Sequence, residues 1–164
     1  MNGLKQKLLA LGLTGALAST GVIVAEHEGL VLGTYVDPVG IVTSCYGNTG
    51  KDSKGNKLVV GTKYSEAECL RQLADDLDEF NYKVKKLVKV NISDEELAAY
   101  TSFTYNVGIG NFNASTLLRK LNAGDRIGAC NDLPKWKYAK GKELPGLVKR
   151  RDKEKQLCLS GVNK

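Results

Sequence analysis

The sequence predicts an α+β protein, with a small β-rich lobe, a larger helical lobe after it, and a ligand-binding cleft between the two. From Thr34 to Thr62 the chain is rich in Val, Tyr and Thr and is punctuated by Pro38, Gly40, Gly47, Gly50, Gly55 and Gly61, which is the pattern of short strands and turns. From Ser65 onward apolar residues recur at helical spacing, and the turn signals fall between these runs. A third feature stands apart from both: Leu8 to Ala25 carries no charge.

Taken in order, Lys5 and Lys7 precede that uncharged run. As one helix it would be about 27 Å long, close to the thickness of a bilayer's hydrocarbon core. Basic residues on its N-terminal side predict a cytoplasmic N-terminus with the remainder outside. The run is weak, because Gly12, Thr14, Gly15, Ser19, Thr20 and Gly21 dilute its Leu, Val and Ile. At about −0.3 to −0.6 kcal/mol each, its strongly apolar residues supply only a few kcal/mol of insertion energy, so such a helix can enter a membrane and later leave it. Two other readings compete: a buried amphipathic helix, and a cleaved signal peptide with Ala16-Leu17-Ala18 as its cleavage signature. Cutting after Ala18 would leave only a short stub before Glu28, too short to mount a side chain on a helix.

Beyond the strands, Ser65 stands three before Glu68 in a capping box, and Leu70, Leu73, Leu77, Phe80, Val84 and Leu87 follow on one helical face. Ser93 and Glu96 repeat the box, with Gly108 as the stop. "NASTLLRKLNAG" is a short helix ending at Gly124, in which Ser115 and Thr116 read as caps. "RIGACNDLPKW" is a shorter one broken at Pro134, with Trp136 as a core residue. The last helix starts at Pro145, has Gly161 past its end, and carries Arg150 and Arg151 as a solvated charge run.

With 164 residues the chain is one domain plus an N-terminal appendage, and 24 Lys+Arg against 18 Asp+Glu give a net charge of +6. A basic surface suits an anionic partner, but no zinc finger, aromatic RNA-binding strand or basic helix is present, which argues against nucleic acid. His27 is the single histidine and no CxxC pair occurs, so neither a metal site nor a cofactor is expected. Cys45, Cys69, Cys130 and Cys158 form an even set behind an export-like N-terminus, the usage of an oxidising compartment. Of their three possible connectivities, Cys45–Cys69 with Cys130–Cys158 is preferred.

Glu28 and Asp37 stand nine apart, with Gly29 between them and Thr43 six beyond Asp37. If the apolar run ends as a helix in the folded protein, Glu28 occupies its last turn and Gly29 ends it in the left-handed conformation that glycine tolerates. Two carboxylates and a hydroxyl on one face are the set glycoside hydrolysis needs: one acid protonates the departing sugar oxygen, and the other carboxylate serves as base or nucleophile. Acids at that spacing are common, however, and spacing alone does not separate them from surface carboxylates. Glu26 is a second nearby acid, but it stands eleven before Asp37 and reads as solvated.

The stretch "EGLVLGTYVDPVGIVTSCYGNTG" resembles the catalytic segment of the phage-type lysozymes (endolysins, glycoside hydrolase family 24), in which Glu, eight residues, Asp, five residues and Thr recur. Gly29, Tyr35, Gly40 and Gly47 also fit, and the likeness continues through "SFTYNVGIGNFNASTLLRKLN" and "KWKYAKGKELPGLVKRR" to the Cys158 region. The resemblance implies a lysozyme-like fold with Glu28 as acid, Asp37 as partner carboxylate, Thr43 as the water-orienting hydroxyl, and Tyr105 and Asn106 as substrate-binding groups. It departs at Asn48, where many relatives have a histidine that is not the proton donor.

Within the family the chain is most similar to endolysins of lambdoid phages with a signal-arrest-release N-terminus. That similarity implies a division into residues 1–25, a membrane anchor that becomes the first helix of the active enzyme, and a catalytic domain over 26–164. It also implies a monomer in the host inner membrane through residues 8–25, catalytic domain in the periplasm, freed to the periplasm on depolarisation. The partners so implied are peptidoglycan, cut between N-acetylmuramic acid and N-acetylglucosamine, and a holin or pinholin with which it cooperates in host lysis. No cysteine precedes Cys45, which discards activation through a cysteine in the anchor.

Overall fold

The uncharged N-terminal run does not form one helix. In the computed structural model, which describes residues 3–164, it is divided between α1 (Gly3–Ala10) and α2 (Gly15–Glu28). Residues 1 and 2 of the expected 1–25 segment lie outside the described residues. The break has local causes. Gly12 sits at φ +98°, which side-chain-bearing residues rarely adopt, and the extended Thr14 caps α2 by accepting the Leu17 N–H at 3.2 Å. Leu8 is fully buried, and a Cβ at Gly21 would run into Leu8 and approach Leu77 at 3.2 Å, so the missing side chain is what lets α1 lie against α2. Among the described residues no helix is long and apolar enough to cross a membrane.

The chain divides into two compact units, one ending at Asp78 and the other running from Glu79 to Lys164. In the first, β1 (Val31–Val36), β2 (Val42–Cys45) and β3 (Asn48–Thr49) form an antiparallel sheet in that order. The register pairs Tyr35 with Thr43 and Val36 with Val42, and a bulge falls between Val31 and Thr34. Beside the bulge, a Cβ at Gly33 would lie 2.9 Å from the Thr62 carbonyl oxygen. Glycine there lets β1 approach the 59–62 loop, which the Thr34 N–H and hydroxyl hold through Thr62 and Val59 at 2.9 and 2.7 Å. The Cys45–Cys69 disulfide ties the end of β2 to α3 (Glu66–Leu87), which opens on the Ser65/Glu68 capping box and carries the chain into the second unit.

The second unit contains α4 (Asp94–Val107), α5 (Ile109–Ala114), α6 (Thr116–Asn122), α7 (Arg126–Asp132), a 3-10 turn at Leu133–Lys135, the hairpin β4 (Tyr138–Ala139)–β5 (Lys142–Glu143), and α8 (Pro145–Val162). Ser93 and Glu96 cap α4 reciprocally, and Ser115 caps α6. The core is aromatic: Tyr100, Phe103 and Phe112 are fully buried with Leu117, Leu121 and Leu133, and Trp136 packs edge-on against Phe103 at 5.3 Å. The Cys130–Cys158 disulfide lies within it.

Three features of this unit depart from expectation. The β4–β5 hairpin turns on Lys140 and Gly141, both at positive φ, as two-residue hairpin turns of the tightest kind require. Gly161 lies inside α8, where a Cβ would meet the Glu96 backbone nitrogen at 2.9 Å; glycine permits close approach to the start of α4 rather than ending the helix. Arg150 and Arg151 are not solvated but 2% and 0% exposed, because α8 turns them inward against α4. The architecture is α+β, mostly helical with small antiparallel sheets.

Candidate active site

Glu28 is the last residue of α2, and Gly29 (φ +73°) stops the helix by donating its N–H to the Ala25 carbonyl at 2.9 Å. Its carboxylate rests over the backbone of Gly47, where a Cβ would come within 3.0 Å of Oε2. Gly47 (φ +79°) is thus required twice, by its turn and by the acid above it. Glu26, His27 and Glu28 are all exposed.

Asp37 begins the turn between β1 and β2. Its N–H donates to the Ile41 carbonyl at 2.9 Å, and its own carbonyl accepts the Gly40 N–H at 3.0 Å. Oδ1 accepts the N–H groups of Val39 and Ile41 at 2.9 and 2.8 Å, so the side chain is pinned by the turn it starts. Pro38 and Gly40 (φ +86°) supply the two special conformations that such a turn needs. Thr43, 4% exposed, stands opposite Tyr35 on the sheet and donates its hydroxyl to the Ile41 carbonyl at 3.0 Å. Its proton is committed there, and the oxygen's lone pairs remain for an incoming group.

Tyr35 links these residues. Burial, then the negative charges of Glu28 and Asp37, push its phenol above the usual range. Glu28, Asp37, Thr43 and Tyr35 are therefore gathered within the first unit. Beneath them, buried Ser44 and Asn48 donate to Oε1 of Gln72 on α3 at 2.8 and 2.9 Å, and Asn48 also donates to the Lys51 carbonyl at 3.0 Å. Asn48 thus ties β3 to α3, and Gln72 is a supporting residue that sequence reasoning missed.

Tyr105 and Asn106 lie at the end of α4 in the second unit, both half-buried. The Tyr105 ring packs on Phe80 with centroids 5.4 Å apart, and the Asn106 carbonyl oxygen accepts from Arg151. Arg151 also donates to Glu154 at 2.5 Å, and Glu154 accepts from Ser102 at 2.5 Å and Arg150 at 3.3 Å. Burial pushes the Arg151 guanidinium down and the Glu154 carboxyl up, and the attraction of each for the other opposes both shifts. Among the described residues no cluster of His, Cys, Asp or Glu is placed to hold a metal ion.

Residues 25–154 match the phage lysozyme family model. The SAR-endolysin of bacteriophage PS119 is 42% identical over 164 residues, covering 96% of this chain and 95% of that protein. The crystal structure of a phage P22 lysozyme point mutant has a TM-score of 0.73 at 30% identity, over 86% of this chain and 95% of the other. In fold, the chain is similar to the active form of the P1 phage endolysin Lyz, with a TM-score of 0.78 at 21% identity over 96% and 92% of the two chains. A family match spanning most of the chain, with relatives of this identity and coverage, leads to one assignment: this protein belongs to the phage lysozyme family and is a glycoside hydrolase of the lysozyme type.

Proposed function

We propose that the protein is a muramidase that hydrolyses the β-1,4 bond from N-acetylmuramic acid to N-acetylglucosamine in host peptidoglycan, and so lyses the host cell. The observation that carries this reading is the family match over residues 25–154, together with Glu28 held over Gly47, Asp37 pinned at the β1–β2 turn and Thr43 on β2. Glu28 gives its proton to the glycosidic oxygen as the bond from the anomeric carbon breaks, and the bonding pair leaves with that oxygen. A water held against the Thr43 lone pairs attacks the anomeric carbon, and Asp37 takes the water's proton.

Digestion of purified Gram-negative peptidoglycan, with mass measurement of the released muropeptides, tests this. Hydrated reducing-end muramic acid is expected from the unaltered protein, with loss in both Glu28→Gln and Asp37→Asn. Products one water lighter, still formed by Asp37→Asn, would instead identify a lytic transglycosylase.

Residues 8–25 act first as a membrane anchor. In this reading the run is one continuous helix in the inner membrane, with the N-terminus in the cytoplasm and the rest of the chain in the periplasm. Glu28 is then held at the membrane interface, away from the Asp37 turn. Depolarisation by a holin or pinholin lets the weak helix leave the bilayer, and it refolds as α1 and α2 with Glu28 delivered over Gly47. The glycines that weaken the span also shape the folded pair, through the positive φ of Gly12 and the contact of Gly21 with Leu8. A Gly12→Leu/Gly15→Leu/Gly21→Leu variant should therefore delay lysis on both counts, and lysis at the normal time would sink the anchor reading.

A further inference from the structure

Between Thr43 and Asn48 the chain reverses direction, from β2 into β3, and the backbone does so under strain. Cys45 stands at φ +56°, a conformation that side-chain-bearing residues rarely adopt, and Gly47 follows at φ +79°. A non-glycine residue persists there only where its surroundings over-determine it. The bend also joins two groups of the site. Thr43 stands just before it on β2, and the Glu28 carboxylate rests on Gly47 within it.

Two ties to α3 hold the bend. One is covalent, the Cys45–Cys69 disulfide. The other is a single oxygen, Oε1 of Gln72, three residues after Cys69 and so on the same face of α3. It accepts the Ser44 hydroxyl at 2.8 Å from one side of the bend and the Asn48 amide N–H at 2.9 Å from the other. Ser44 and Asn48 face each other in the β2–β3 register, so the oxygen closes the base of the hairpin. All three side chains are buried, and water does not compete for these bonds.

The chemical sense of the network is fixed. The same Asn48 nitrogen donates to the Lys51 carbonyl at 3.0 Å, and a carbonyl only accepts, so this end of Asn48 cannot be its oxygen. The Gln72 atom that it meets must then be the oxygen. Stability alone does not account for the arrangement. Asn48 Oδ1 and Gln72 Nε2 are buried with no hydrogen-bond partner among the described residues, a loss that apolar side chains of similar shape would avoid.

We propose that Gln72 is a positioning residue for the hydrolysis: by accepting from both sides of the bend, its Oε1 sets where the Thr43 hydroxyl stands relative to the Gly47 backbone that carries Glu28. This rests on the muramidase reading. Gln72 acts through residues 43–48 and touches no reacting atom. Its partners are a hydroxyl and an amide, so the tie carries no charge that titrates.

The test separates an accepting oxygen from side-chain bulk. kcat and KM on purified peptidoglycan are measured, per folded molecule, for Gln72→Met and Gln72→Glu. Methionine keeps the length of the side chain and loses the oxygen, whereas glutamate keeps an accepting oxygen in either protonation state. Gln72→Met should lower kcat about tenfold or more, with KM within about threefold. Gln72→Glu should keep kcat within about threefold of the natural protein, although burial of its carboxyl lowers Tm. Activity would then follow the acceptor and not the Tm. Equal kcat values for the two variants overturn the proposal, as does a Gln72→Met fall confined to KM. Ser44→Ala removes one of the two bonds and little else, and should lower kcat about fivefold. An unchanged kcat for folded Ser44→Ala overturns the proposal even if neither Gln72 variant folds. Failure of the muramidase reading would appear differently, as no Glu28-dependent products from the unaltered protein.

Discussion

The unit ending at Asp78 holds Glu28, Asp37 and Thr43 on a helix end and two short strands, whereas the unit from Glu79 surrounds an aromatic core with eight elements of secondary structure after α3. Among the described residues, Leu30, Val31, Leu32, Val36, Val39, Ile41, Val59 and Val60 of the first unit are exposed, and its acids lie at a turn and a helix terminus. The second unit also exposes Tyr82, Ile127, Tyr138, Leu144 and Val148, but it buries a charged cluster of Arg150, Arg151 and Glu154. The lesson is one of division. In the muramidase reading, the groups proposed to react sit where backbone turns, not packing, hold them, while the buried charges sit on the packed helices. The largest expected effects break this division directly. Glu28→Gln should cut turnover by on the order of 10²–10⁴ while leaving thermal unfolding nearly unmoved, because the side chain is exposed. A large fall in Tm with that variant would show that the acid is also structural.

Glu154→Ala is the reciprocal experiment. It leaves two buried guanidiniums without their carboxylate, a loss of about 3–5 kcal/mol by comparison with other broken buried pairs. At about 2–4 °C per kcal/mol for a chain of 164 residues, Tm should fall by about 6 °C or more. A fall of only a few degrees would mean that water or the Ser102 carbonyl already satisfies the arginines, and the contrast between the units would weaken.

How much of this was legible depended on whether the partner was near in the chain. Ser65 with Glu68 and Ser93 with Glu96 announce their helices because a cap is a local device, and Gly29 ends α2 for the same reason. The Thr34–Thr62 strands were readable from composition, although residues 51–62 contribute only an isolated bridge, Lys51 with Lys57. Glu28, Asp37 and Thr43 emerged from a family pattern, since their spacing alone carried little. The break at residues 11–14 was hidden because Gly12 and Thr14 look like mere dilution of an apolar run, and only the packing of Leu8 on Gly21 gives them a purpose. Burial of Arg150 and Arg151 was not legible at all. Their run, "KRRDKEK", has the composition of a solvated face, and the groups that receive them, Ser102, Phe103 and Asn106, are more than forty residues away.

The two disulfides sharpen the comparison because they differ in place and hardly in size. Cys45–Cys69 closes a separation of 24 residues and Cys130–Cys158 one of 28, so chain entropy gives each about 3.5 kcal/mol. Replacing either pair with alanine should therefore lower the denaturant midpoint by similar amounts. Activity should divide them. Cys45 ends β2 two residues before Gly47, on which the Glu28 carboxylate rests, and freeing it should lower kcat of the folded protein on the order of tenfold or more. Loss of Cys130–Cys158 should leave the specific activity of the folded fraction unchanged. Equal activity losses would show that the two disulfides do not divide by activity.

The smallest effect concerns Asp132, the end of α7, where the second unit again keeps a charge largely out of water. Burial raises its carboxyl, but hydrogen bonds from Lys135 at 2.8 Å and Lys120 at 2.9 Å outweigh that and leave it below its ordinary value of 3.8. A carboxyl depressed in the folded state binds fewer protons there than in the unfolded chain. Its contribution is complete above pH 3.8 and is lost as pH falls through the folded value. Because the two lysines are 69% and 36% exposed, solvent and salt screen the pairs, and the contribution is about 1 kcal/mol or less. Asp132→Asn should accordingly be slightly less stable than the natural protein at pH 6, and the two curves should converge below pH 4. Buried Glu154 acts in the opposite direction, since burial raises its carboxyl, and it is present in both proteins, so the difference between them isolates Asp132. If the two stability curves stay parallel down to pH 2, the lysine pairs contribute nothing that titrates, and Asp132 is held by its place at the end of α7 alone.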